Sequence, residues 1–215
     1  MPHRIFLTGG TGYMGSRLIP ILAARGHEVM ALVRPGSESK LPAGCRAVVG
    51  DALHGASYQQ HVGGCDTFIQ LVGVAHPSPA KAKEFVAIDQ RSGMEAIHAA
   101  QRAGVGHFIY VSVAHPAPAM HAYIAARSAC ETELAASGLN ATILRPWYVL
   151  GPGHRWPYAL IPFYWLAEWI PSTRESARRL GLVTVRQMLN ALAAAVDQPA
   201  TGVKIVEVPA IRGAQ

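Results

Sequence analysis

A doubly wound, parallel α/β fold in one domain over residues 1–215 is what this sequence predicts, on three observations. An apolar run, Ile5-Phe6-Leu7, passes into the turn Thr8-Gly9-Gly10-Thr11-Gly12-Tyr13-Met14-Gly15, and a helical pattern starts directly behind it. Strand-length apolar runs then alternate with helix-length stretches as far as residue 145, the pattern of a sheet wound by right-handed crossovers. Half of the 215 residues are hydrophobic, enough to cover such a sheet on both faces.

The first helix covers Ser16 to Arg25, with Leu18, Ile21 and Leu22 on one face and Gly26 as its stop. Glu28–Val33, Arg46–Gly50 and Asp66–Val72 read as the second, third and fourth strands. Ser78 as N-cap and Pro79 at the first helical position open a long helix to about Ala103, in which Asp89 and Arg91 read as a solvated face. His107–Ser112 is the fifth strand, the proline-bearing Ala114–Met120 a loop, His121–Ser137 a helix and Asn140–Leu144 the sixth strand.

Beyond residue 150 the character changes. Gly151 to Pro171 combines four prolines with Trp156, Tyr158, Phe163, Tyr164, Trp165 and Trp169. Residues 151–180 are therefore read as a small aromatic-rich lid or substrate segment, ahead of two other uses of such residues, a subunit interface of a homo-oligomer and a rest on a membrane surface. An apolar run, Leu180 to Val183, a helix opened by the capping-box spacing of Thr184 and Gln187, and a late strand, Lys204 to Val208, complete the chain.

The glycines carry the first chemical reading. Gly10, Gly12 and Gly15 fit G-x-G-x-x-G, while Gly9, Gly12 and Gly15 fit G-x-x-G-x-x-G, and between a strand and a helix either spacing is a dinucleotide fingerprint. Glycines permit the tight turn and the close approach of a pyrophosphate, and the helix N-terminus supplies free N–H groups to hold it. Gly9, Thr11, Gly12, Tyr13, Met14 and Gly15 are therefore expected to bind the cofactor. A NAD site would place a carboxylate near the end of the second strand; here stands Arg34, whose guanidinium suits a 2′-phosphate, so NADP is expected over NAD. Asp51 and Ala52 follow the third strand, where the adenine would lie, although Asp51 suits a turn cap equally well. Leu71 and Val72 end the fourth strand, and Gly73 behind them lets the chain pass close to the cofactor.

Composition narrows the alternatives. The net charge of +6 is scattered arginine without a basic block or aromatic platform, which speaks against nucleic acid. Cys45, Cys65 and Cys130 match no metal or redox spacing and read as reduced thiols. None of the ten histidines has a metal-ligand spacing, so no metal is expected; His115 and His121 are candidates only for substrate contact. With a strand from residue 4 and no apolar run of about 18 residues, neither a signal peptide nor a membrane span is expected, which suits a cytoplasmic protein.

Tyr123 and Arg127 lie four apart on the helix behind the fifth strand, on one face. Here the sequence resembles the short-chain dehydrogenase/reductase superfamily, in its atypical and extended branches. The resemblance covers most of the chain and is carried by the blocks TGGTGYMG, VSV, HAYIAARSACE and ATILRPWYVLGPG. The resemblance implies a Rossmann domain in which Tyr123 is the acid/base and Arg127 stands where the family has lysine. An arginine keeps the charge and can still donate to ribose hydroxyls, but it is a poor proton relay. Ser112 matches a serine common at the end of the fifth strand, while Val113 falls where extended members usually carry the catalytic hydroxyl. Pro146, after Arg145, resembles the segment bordering the nicotinamide. The implied activity is an NADP-dependent oxidoreductase acting on a small, rather apolar carbonyl or alcohol. The departures at positions 127 and 113 keep open a dinucleotide sensor or assembly protein, and the LRPWYVLGPG block keeps open a sugar-nucleotide epimerase or dehydratase.

Overall fold

In the computed structural model, which describes residues 2–153, 175 and 178–214, β1 (Arg4–Thr8) sends Ile5 and Leu7 into one core and Phe6 into another. Side chains alternate along a strand, so a strand that is apolar throughout needs a helical layer on each side. Both layers are present. α1 (Gly15–Ala24), α6 (Val185–Asp197) and α7 (Val208–Arg212) pack on the Ile5 side. On the Phe6 side are α2 (Gln59–Val62), α4 (Arg91–Ala103) and α5 (His121–Ala136).

The remaining strands are β2 (Glu28–Val33), β3 (Arg46–Val49), β4 (Thr67–Gln70), β5 (His107–Val111), β6 (Ala141–Arg145) and β9 (Val203–Glu207). Among the described residues they form, with β1, one seven-stranded parallel sheet in the order β3-β2-β1-β4-β5-β6-β9. The register seats Phe6 beside Phe68 and Phe68 beside Phe108. Their rings lie 5.2 Å apart at both steps, an aromatic ladder that ties the centre of the sheet together. β7 (Tyr148–Leu150) and β8 (Leu182–Thr184) form a separate parallel pair, so the apolar run at 180–183 joins β7 and not the main sheet.

Three expectations are corrected. The helix expected from Pro79 to Ala103 is a 3-10 turn, then α3 (Ala82–Glu84), a π-helical turn over Phe85–Gln90, and α4. Within it Asp89 is not on a solvated face: it is completely buried. The reason lies in the helical period, because Phe85, Asp89, Ser92 and Ala96 recur at three and four residues and all four are buried. Arg91 is exposed and donates from Nε to the Leu53 carbonyl, 3.1 Å away. β4 also stops at Gln70, which frees Leu71 and Val72 for the wall of a cavity. Residues 154–174, 176 and 177, with most of the aromatic segment and His154, lie outside the described residues.

Candidate functional site

The chain winds outward from β1 to β3 and then returns to continue from β4 to the other edge, so the C-terminal ends of β1 and β4 bracket the point where the winding reverses. Loops diverge there and leave a crevice. A cavity of about 450 Å³ occupies it, within the size range of small-molecule sites. Gly9 takes a left-handed φ of +76°, and a Cβ on it would come within 2.9 Å of the Leu71 carbonyl carbon. A Cβ on Gly15 would fall on the Gly9 carbonyl oxygen, so the start of α1 lies directly against the turn. Met14 precedes α1 without a side-chain cap, and the first turn carries no acidic residue. Its main-chain donors and positive dipole end are therefore suited to an anion. Gly9 and Gly12 line the cavity, whereas a Cβ on Gly10 would meet the side chains of Leu41, Ala31 and Ile19.

Of the expected cofactor residues, Gly9, Thr11, Gly12, Arg34, Asp51, Ala52, Leu71, Val72 and Gly73 line this cavity. Tyr13, Met14, Gly15 and Pro146 do not. Tyr13 lies under the Arg17 guanidinium at 4.2 Å, Met14 packs on the core, and the Pro146 carbonyl accepts from the Ala114 N–H at 2.9 Å. Asp51 is both a turn cap and a lining residue. Its Oδ1 accepts from the Leu53 N–H and its Oδ2 faces His54 Nδ1, both at 2.9 Å. The Leu53 bond in particular, helped by His54 and Arg34, holds its carboxyl below the usual range, so it presents an anion.

Several wall residues were not foreseen. Lys81, Glu84 and Ile88 stand three and four apart on one side of the helical segment before α4, a spacing that could have marked them as one face. Ser37 lines the cavity beside Arg34 because its N–H donates to the Arg34 carbonyl at 3.0 Å and closes the turn after β2.

Behind the wall lie the residues of the α5 motif. Tyr123, in the first turn of α5, is half-buried, its ring 4.9 Å from that of Phe85. The Arg127 guanidinium carbon lies 5.3 Å from the Tyr123 ring, and Arg127 is only 5% exposed. Its Nη1 donates to the Val111 carbonyl at 2.8 Å and its Nη2 to Asp89 Oδ1 at 2.5 Å. Burial disfavours this cation, but Tyr123, Tyr110 and Asp89 outweigh it and raise the pKa, so Arg127 stays charged. Ser112 is buried with its hydroxyl side toward Glu131. Burial works against the Glu131 carboxylate, but the hydrogen bonds and charge of Arg145 keep its pKa below the usual range. His115 also faces Glu131, at 3.5 Å, and His121 is exposed at the start of α5.

Among the described residues no His, Cys, Asp or Glu cluster could hold a metal ion, and no helix is long and apolar enough to cross a membrane. The three cysteines are free, and burial raises each thiol, Cys65 to about 11, which disfavours a thiolate nucleophile.

Residues 9–155 match a family model described as NAD(P)H-binding, and the chain belongs to that family. A 3-beta-hydroxysteroid dehydrogenase of Mycolicibacterium neoaurum is 31% identical over 115 residues, 51% of this chain and 31% of that protein. Ceramide reductase of Caulobacter vibrioides is 25% identical over 210 residues, 97% of this chain and 65% of that protein. The chain thus spans between about a third and two thirds of the length of these two relatives. A protein named as an uncharacterized sugar epimerase, YhfK of Bacillus subtilis, is 32% identical over 66% of this chain and 71% of its own length. Among solved structures, the enzyme WbmH of Bordetella bronchiseptica in complex with NAD+ shares the fold, with a TM-score of 0.72 at 23% identity over 96% of this chain and 76% of that one. The relatives are named as dehydrogenases, reductases and epimerases, which sets the chain in the NAD(P)-dependent oxidoreductase and epimerase superfamily.

Proposed function

We propose that this chain is an NADP-dependent oxidoreductase acting on a rather apolar carbonyl or alcohol. The observation that carries the reading is one continuous wall: the cavity runs from Arg34 and Asp51, past the Gly9–Gly12 turn, to Gly73, and the Arg127 guanidinium under the Tyr123 ring lies directly behind Gly73. In this reading the cofactor would lie against the Gly73 wall, with Arg127 and Tyr123 behind it.

Arg34 and Ser37 sit together at the end of β2 and would take the 2′-phosphate, the guanidinium by paired hydrogen bonds. The uncapped start of α1 would hold the pyrophosphate. A nicotinamide dinucleotide held by these residues would supply the hydride chemistry. Tyr123 would give its phenolic proton to the carbonyl oxygen in reduction and recover it from the hydroxyl in oxidation. Arg127 would contribute its charge from beneath the ring. Ser112, turned to Glu131, would steady the end of β5. The relatives named for steroid and ceramide chemistry support an apolar substrate class.

A fluorescence titration followed by a carbonyl panel tests the proposal. NADPH is expected to bind more tightly than NADH, and Arg34→Ala to weaken NADPH by about tenfold to a hundredfold, the worth of a charge-assisted pair, while leaving NADH unchanged. Tyr123→Phe is expected to lower turnover by about a hundredfold or more with NADPH affinity intact. Equal affinity for the two nucleotides removes the NADP assignment, and no affinity for either removes the enzyme.

A further inference from the structure

The wall of the cavity at Gly73 and Val74 rests on two opposite charges that do not line the cavity themselves. Asp89 is fully buried in the π-helical turn, and its two oxygens are used in different directions. Oδ2 accepts from the Val74 N–H at 3.0 Å, and Oδ1 accepts from Arg127 Nη2 at 2.5 Å. Arg127 spans onward to the Val111 carbonyl at the end of β5 and lies under the Tyr123 ring. The position a Cβ on Gly73 would occupy is filled by Arg127 Nη2, with Asp89 Oδ1 2.9 Å away. Four parts of the fold therefore meet at one ion pair: the loop after β4, the π-helical turn, the end of β5, and α5.

We infer that Asp89 and Arg127 form a positioning pair that clamps the Gly73–Val74 wall of the nucleotide site to the helix bearing Tyr123. This rests on reading the cavity as the dinucleotide site. Stability alone is a poor reason for such a pair, since well-packed apolar side chains of similar volume do as well or better than a buried salt bridge. What the pair supplies is direction. A carboxylate with one oxygen on a main-chain N–H and the other on a planar guanidinium leaves the wall a single position relative to Tyr123. Both guanidinium ends are also held by protein acceptors, so Arg127 acts on the site through the main chain of Gly73. The glycine is required there because the ion pair occupies the room of a side chain.

The test uses Asp89→Asn, Arg127→Gln and the double variant, each measured for thermal unfolding and for NADPH dissociation constant by fluorescence. Each single change leaves one buried charge unpaired and is expected to lower Tm by about 10 °C. The double variant buries no charge and keeps an amide pair, so its Tm is expected back within about 3 °C of the parent. Its NADPH affinity is expected to stay about tenfold weaker, because glutamine is too short to bridge the residue 89 side chain and Val111. A dissociation constant that simply follows Tm across the three variants, lost and recovered together or lost together, overturns the inference. If the parent protein binds neither NADPH nor NADH, the reading of the cavity has failed, and the positioning role fails with it.

Discussion

His107 begins β5 with 1% of its surface exposed and Nε2 2.9 Å from Thr142 Oγ1. Burial, with a smaller contribution from nearby His3, pushes its pKa down to about 4. An unfolded chain titrates histidine near 6.5, so above that pH both states are neutral and this position contributes its full share of stability. As the pH falls from about 6.5 to 4 the unfolded state takes up a proton that the folded state refuses, and stability is lost by about 3 kcal/mol. Denaturant unfolding at pH 7 and pH 4.5 should show this loss, and His107→Gln should flatten it; an unchanged slope would refute the assignment. Residues differ in how far the sequence betrays such roles. Arg34 is legible because its place at a strand end defines its surroundings. Asp89 carries a charge that suggests solvent, and only its spacing from Phe85 hints at burial.

At the scale of elements, caps and glycine turns were the readable signals. Thr184 Oγ1 accepts from the Gln187 N–H at 3.2 Å, and Gln187 Oε1 accepts from the Thr184 N–H at 2.8 Å, the reciprocal pair expected from the spacing. Gln187 also donates to the Arg212 carbonyl at 3.2 Å, tying α6 to the end of α7. Thr184→Ala should therefore cost about 1 kcal/mol and lower Tm by about 2–4 °C, as read by calorimetry. The unread feature was the break in the long helix. A π-helical turn adds one residue per hydrogen-bonded ring without altering composition, so nothing local announces it.

Across the whole molecule, the cavity draws walls from the ends of β1, β2, β3 and β4 and from the helical segment before α4. A ligand there bridges both halves of the sheet and binds only the folded chain. NADPH at a hundred times its dissociation constant should add about 2.7 kcal/mol of stability and raise Tm by about 5–10 °C. Differential scanning fluorimetry reads this directly, and no shift at saturating NADPH would argue against a site spread over these elements.

The strand, turn and helix order and the glycine cradle at residues 9–15 follow from the chain alone, as does the NAD(P)H-binding family to which it belongs. Periods of two and 3.6 residues and glycine spacing are local properties, written along the chain. The Asp89–Arg127 clamp, the place of Lys81 and Ser37 in the wall, and the turning of Ser112 toward Glu131 were decided only in three dimensions. Asp89 and Arg127 are 38 residues apart, and what brings them together is the packing of two helices on the same face of the sheet, which no single stretch of sequence encodes.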